Sequence, residues 1–153
     1  MEKFIFYFTI LILLTIGCER FPNLGNGYQL DYNGMNDISI IKCLKEGDAP
    51  TIFIYGHILD YAFDSTFIIV AECPRDSVPG IKTMSQPEYQ EAFEQSTFRQ
   101  YWIINKQEKS EYSLDTLTKL ARYSNVYGPF KKDDYLRKRE ELKIPRELIL
   151  KED

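Results

Sequence analysis

Thr66-Phe67-Ile68-Ile69-Val70-Ala71 is the most apolar run of the chain after its first 17 residues. A short, continuous, β-branched run of this kind predicts a central strand covered on both faces. Upstream, Phe63-Asp64-Ser65 turns the chain, and Thr51-Ile-Phe-Ile-Tyr55 and His57-Ile-Leu-Asp-Tyr61 read as strand broken at Gly56. An isolated glycine inside a strand pattern marks a bulge or a tight bend. Further back, Tyr28-Gln-Leu-Asp-Tyr32 alternates with period two, Asn33-Gly34 is a strong hairpin signal, and Ile38-Ser-Ile-Ile-Lys-Cys43 follows as strand. Lys45-Glu-Gly-Asp-Ala-Pro50 is a polar turn.

Downstream the pattern changes. Pro74–Gly80 reads as a loop, and Ser85-Gln-Pro-Glu88 has the form of a capping box opening a short helix with Tyr89, Ala92, Phe93 and Ser96 at helical spacing. Tyr101-Trp-Ile-Ile-Asn105 returns to strand. Leu114, Leu117, Leu120 and Ala121 behind Ser113 predict a second helix, which Val126-Tyr-Gly-Pro-Phe130 stops as a turn. A charged helix runs from Asp133 to Lys143 with Tyr135, Leu136, Arg139 and Leu142 inward, and Pro145 ends it. Leu148-Ile149-Leu150 either adds a short strand or extends over the surface. The sum is an α+β domain: an antiparallel sheet of about five to seven strands packed with two or three short helices. The absence of βαβ alternation from the first half argues against a doubly wound fold and a dinucleotide site.

The first residues carry a different message. Met1-Glu-Lys3 precedes Phe4–Ile16, thirteen nearly unbroken apolar residues, and then Gly17-Cys18 and the charged pair Glu19-Arg20. Spanning a bilayer takes roughly 20 apolar residues, so this stretch fits the h-region of a secretory signal. Thr15-Ile16-Gly17-Cys18 resembles the lipobox of bacterial lipoprotein precursors. The resemblance implies cleavage before Cys18, a diacyl or triacyl chain on that cysteine, and export to the cell envelope, with inner or outer membrane left open. Two or more chains anchor a protein stably where one does not. The expected organisation is therefore a signal peptide over 1–17, a tether over 18–26 and a single α+β domain over 27–153. About 136 residues remain after cleavage, enough for one ordinary domain.

Composition excludes some functions. The formal charge of −4 offers no electrostatic footprint for nucleic acid. The 153 residues hold a single histidine, His57, which rules out multi-histidine metal sites. With Cys43 or Cys73 as nucleophile and an orienting acid such as Asp60 or Asp64, His57 has the residue types of a cysteine hydrolase, but no local pattern fixes them. A lone strand histidine reads more simply as a partly exposed side chain with a satisfied ring. In an oxidising compartment Cys43 and Cys73 are either a disulfide, closing about 30 residues and contributing roughly 3 kcal/mol, or two buried thiols. Asp133-Asp134 and Glu140-Glu141 read as helix-end and surface-pair charges and not as metal ligands. No cofactor motif is present.

Tyr101-Trp-Ile-Ile-Asn-Lys106, Val126-Tyr-Gly-Pro-Phe130 and Tyr135-Leu-Arg-Lys-Arg-Glu-Glu-Leu142, with the opening Asn26-Gly-Tyr28, resemble the closing module of an uncharacterised family of small bacterial proteins. Gln107–Asn125 reads as an insertion relative to it. The resemblance implies fold and export and carries no activity. Gly128 allows a positive φ and Pro129 fixes the next one, which makes Tyr127-Gly128-Pro129-Phe130 an architectural device, with a surface contact as the alternative. Tyr28, Tyr32, Tyr55, Tyr61, Tyr101, Tyr112, Tyr123 and Tyr127 form either a sugar- or protein-binding face or ordinary strand aromatics. The expected role is a lipid-anchored, non-enzymatic binding or accessory module with the membrane and an envelope protein as partners. The alternatives are an envelope hydrolase and an inhibitor or immunity-type partner of a secreted enzyme.

Overall fold

The computed structural model describes residues 22–32, 38–42, 51–114 and 121–151. Strands β1 (Asn23–Gly25), β2 (Tyr28–Tyr32), β3 (Ile38–Lys42) and β4 (Thr51–Ile54) form one antiparallel sheet in that order. The chain then gives β5 (His57–Phe63), β6 (Phe67–Cys73), the helix α1 (Gln86–Glu94) and β7 (Gln100–Asn105). The ribbon β8 (Tyr112–Leu114) and β9 (Ala121–Tyr123), the strand β10 (Val126–Phe130) and the helix α2 (Lys132–Glu141) follow. A second antiparallel sheet has the order β10-β7-β6-β5.

All seven residues of β6 are buried, as its sequence requires of a strand covered on both faces. Ile68 and Val70 enter the core between the two sheets, against Leu24, Tyr28, Leu30, Ile40, Phe53 and Ile54. Phe67, Ile69 and Ala71 point the other way, against Tyr101, Ile103, Tyr135 and the C-terminal Ile144, Leu148 and Leu150. Each fully buried Ile or Val contributes about 1.5–3 kcal/mol relative to exposure. The second sheet therefore separates two cores, and α1 adds a third cluster of Cys73, Val78, Tyr89 and Phe93.

Several expectations change. Among the described residues, the single sheet of five to seven strands is instead two four-stranded sheets and a ribbon. The break at Gly56 (φ 115°) is where the chain leaves the first sheet for the second. Period-two alternation reads the same in one long sheet and in two packed ones. The tether over 18–26 overlaps β1, whose Leu24 is fully buried. The helix expected from Leu114 is replaced by pairing of Ser113 with Arg122 and of Leu114 with Ala121; Leu117 and Leu120 lie outside the described residues. Leu114 is 50% exposed, so its helical spacing served no core.

Val126–Phe130 is an edge strand and not a turn. It pairs with β7, slips register between Tyr127 and Phe130, and has a cis Gly128-Pro129 bond. Edge strands and irregularities are where a sheet accommodates proline. The capping-box helix forms at Gln86–Glu94, with the Glu88 carboxylate accepting the Ser85 N–H at 2.7 Å. The last helix ends at Glu141 and buries Tyr135, which stacks on Tyr101 (centroids 4.8 Å), while Leu136 is exposed instead of inward. Pro74–Gly80 includes one turn of 3-10 helix, Arg75–Ser77. Leu148 and Leu150 pack into the core without forming a strand.

Gly128 has φ 133°, and a Cβ there would meet Tyr101 O and Trp102 Cε3 at 2.8 Å. Gly128→Ala is expected to lower unfolding free energy by about 2 kcal/mol or more, measured by urea denaturation. An unchanged midpoint would show that β10 relaxes freely.

Candidate functional site

Antiparallel register brings His57 directly opposite Cys73 on β5 and β6. Both side chains emerge on the face that α1 covers. The His57 ring lies 4.2 Å from Phe93 and 6.2 Å from Tyr89, centroid to centroid. Cys73 Sγ is 3.5 Å from both Ser77 Oγ and Ser96 Oγ, and Ser77 donates onward to Pro74 O at 2.6 Å. The residue types of a cysteine hydrolase thus do meet, which the sequence did not specify. Both are buried: His57 is 6% exposed, Cys73 is 1% exposed, and the cluster around the sulfur is Val78, Tyr89 and Phe93. Reactive thiols sit in partly exposed, electropositive settings; apolar burial makes them inert. The histidine expected to be partly exposed is a core residue.

Neither acid orients the ring. Asp60 accepts the backbone N–H of Lys151 from the C-terminal segment. Asp64 caps the β5–β6 turn, accepting the N–H groups of Thr66 and Phe67 at 2.6 and 2.7 Å. Cys73 is a buried free thiol, and Cys43 and Cys18 lie outside the described residues.

The segments that carried the family resemblance converge elsewhere, on a polar joint between the sheets. Lys106, immediately after β7, is buried, and its ammonium donates to Leu24 O of β1 at 2.6 Å and to Asp64 O of the β5–β6 turn. Burial holds its pKa below the ordinary lysine value, with the Asp64 charge opposing that shift. Asn26 donates to Lys106 O at 3.2 Å. Asn125, fully buried, donates to Tyr28 Oη at 2.8 Å and to Asn105 O at 3.0 Å. These groups satisfy backbone carbonyls that the sandwich would otherwise bury unpaired.

Glu72 is the residue that sequence reasoning missed. Its carboxyl is 3% exposed at the end of β6, with Oε2 lying 3.6 Å from where a Cβ on Gly56 would stand. Burial pushes its pKa from 4.5 to about 7; the facing Trp102 indole N–H opposes this and Asp76 adds to it. Among the described residues, neither Glu72 Oε2 nor Trp102 Nε1 finds a partner for a well-formed hydrogen bond. The available signal was a charge embedded in the apolar run that ends at Cys73.

Tyr127 Oη donates to Glu108 at 2.7 Å and its ring sits under Lys138 Nζ at 4.7 Å. Burial, then Glu108, raise its phenol to about 12. With Phe130 packed on the outer core and Gly128 against Trp102, this segment is built into the sheet, leaving Pro129 exposed. The tyrosines do not form one face. Tyr28, Tyr101 and Tyr123 are buried, whereas Tyr32, Tyr55 and Tyr112 are exposed. On α2, Asp134 pairs with Arg137 and Glu141 with Lys138.

A model of a family described as "Protein of unknown function (DUF3997)" matches residues 25–153. No curated protein and no solved structure matches the chain.

Glu72 makes stability pH-dependent with a defined sign. The folded state holds its proton more tightly than the unfolded chain, so the contribution of Glu72 to stability is full below pH 4.5 and is lost as pH rises through about 7. The loss is on the order of 3 kcal/mol at 1.36 kcal/mol per pKa unit. Glu72→Gln is expected to flatten this slope in denaturation titrations between these values. An identical slope in the variant would assign the effect to another group.

Proposed function

The chain belongs to the DUF3997 family of proteins of unknown function, and from that premise we propose a lipid-anchored cell-envelope module that binds or assists a partner without catalysis. The burial of His57 and Cys73 beneath α1 carries the non-enzymatic part of this reading. A general base must come within hydrogen-bond reach of a substrate proton, and the only histidine of the chain is packed against Phe93. The anchoring part is supported by Phe4–Ile16 followed by Gly17-Cys18. Export through this leader places the domain at an inner or outer membrane, held by acyl chains on Cys18, with an envelope protein as its partner.

The hydrolase reading draws support from the His57–Cys73 register. It requires α1 to move aside and expose a reactive thiolate. Quantitative thiol labelling of the native protein separates the two readings. Slow labelling of Cys73, accelerated only by denaturant, is expected; rapid labelling together with loss of function in a folded His57→Ala variant would favour the hydrolase. An inhibitor or immunity-type role shares the anchored module and differs only in its partner.

In a bacterial host, Cys18→Ser is expected to move the protein from the membrane fraction to the soluble envelope fraction, with the wild-type mature chain heavier by its acyl groups in intact mass spectrometry. A wild-type chain that keeps residues 1–17 and carries no acyl mass would overturn the anchoring.

A further inference from the structure

Tyr32 is 46% exposed and Phe63 is 44% exposed, and the two flank the point where the chain enters the fold. Pro22 O accepts the Leu30 N–H at 3.2 Å, so the entering chain runs beside β2 two residues before Tyr32. Phe63 lies at the end of β5, with Lys106 Nζ 5.5 Å from its ring centroid and the same ammonium on Leu24 O of β1. Between them, Tyr61 stacks along Phe63 (centroids 6.4 Å, planes 15° apart) and lies close enough to Tyr32 for the two phenols to act on each other. The result is an aromatic patch at the mouth of the fold. Of the acids around it, Asp60 is engaged by Lys151 N–H and Asp64 by Thr66 and Phe67 N–H, and Asp31 precedes Tyr32 on β2.

Chain length says what lies against this patch. From Cys18 to Pro22 four residues of backbone reach at most about 14 Å. The headgroup layer on each side of the hydrocarbon core takes roughly 5–8 Å of that. The entry end of the domain is therefore held within roughly 9 Å of the membrane surface. Tyrosine and other aromatic rings favour this interfacial zone, where an apolar body and a polar tip are both accommodated.

We propose that Tyr32, Tyr61 and Phe63 seat the domain on the bilayer that holds Cys18, fixing which face points away from the membrane. This rests on the anchoring reading. The three side chains of the seat are aromatic and uncharged, so they set orientation and depend little on anionic lipid. Phe98, which precedes Gln100 at the far end of β7 from the Phe63 level, is then held away from the lipid.

The test uses the full-length lipidated protein in phosphatidylcholine vesicles, with and without phosphatidylglycerol, in which some acyl chains are brominated near the headgroup. Phe63→Trp and Phe98→Trp are compared with wild type, whose single Trp102 gives the baseline. Loss of most of the emission added at position 63 and little of that added at position 98, in both lipid mixtures, is the expected result. Intact mass identifies which idea fails. An unacylated Cys18 removes the anchoring and this seat with it. Acylated protein with equal quenching at 63 and 98, or none at 63, overturns the seat alone. Quenching at 63 only with phosphatidylglycerol would overturn its uncharged character.

Discussion

The ammonium of Lys106 is the constraint on which the arrangement of the two sheets depends. An isolated buried charge is costly, and a buried lysine is tolerated when its donors are satisfied. Here two backbone carbonyls accept from two of its three N–H donors, Leu24 O from the first sheet and Asp64 O from the turn that joins β5 to β6 in the second. Gly25 beside it leaves room, since a Cβ there would stand 3.1 Å from the Nζ. Three segments far apart in sequence are thereby fixed together, and Leu24 is held in the core. Asn125, through Tyr28 and Asn105, holds the neighbouring stretch in the same way.

From this joint the rest follows by packing. Because β6 is apolar on both faces, the second sheet needs cover on both sides. The first sheet covers one face, while α1, α2 and the C-terminal segment cover the other. That second layer explains why the chemistry suggested by residue types is buried. His57 and Cys73 fall on the helix-covered face at the end of β6, and the aromatic side chains of α1 close over them. Glu72, one residue back, points to the opposite face and pays for its position with a raised pKa.

The segments that suggested a family are architectural. Asn26, Tyr28 and Lys106 meet at the joint; Tyr101 stacks on Tyr135; Gly128 lets β10 lie on Trp102. Arg139 on α2 donates to the Tyr135 hydroxyl at 3.0 Å and to the carbonyls of Pro145 and Leu148, tying the C-terminal segment to the helix. These contacts hold the domain together, and of the exposed aromatic residues Phe63 lies beside the joint, with Lys106 Nζ 5.5 Å from its ring centroid.

The sequence alone determined the strands that alternate or run apolar, the helix behind Ser85, the charged last helix, and the central position of β6. All of these depend on local periodicity and capping, which neighbouring residues encode. Tertiary structure decided where strands change sheet, because a single bend at Gly56 leaves the alternation untouched. It turned Val126–Phe130 into an edge strand through pairing with β7, and Leu114 into a ribbon residue through pairing with Ala121. It also buried His57, Glu72 and Lys106, whose surroundings come from residues as many as 82 positions away. No local pattern records partners at that separation, so the chemistry of these three groups became legible only once the sheets were packed.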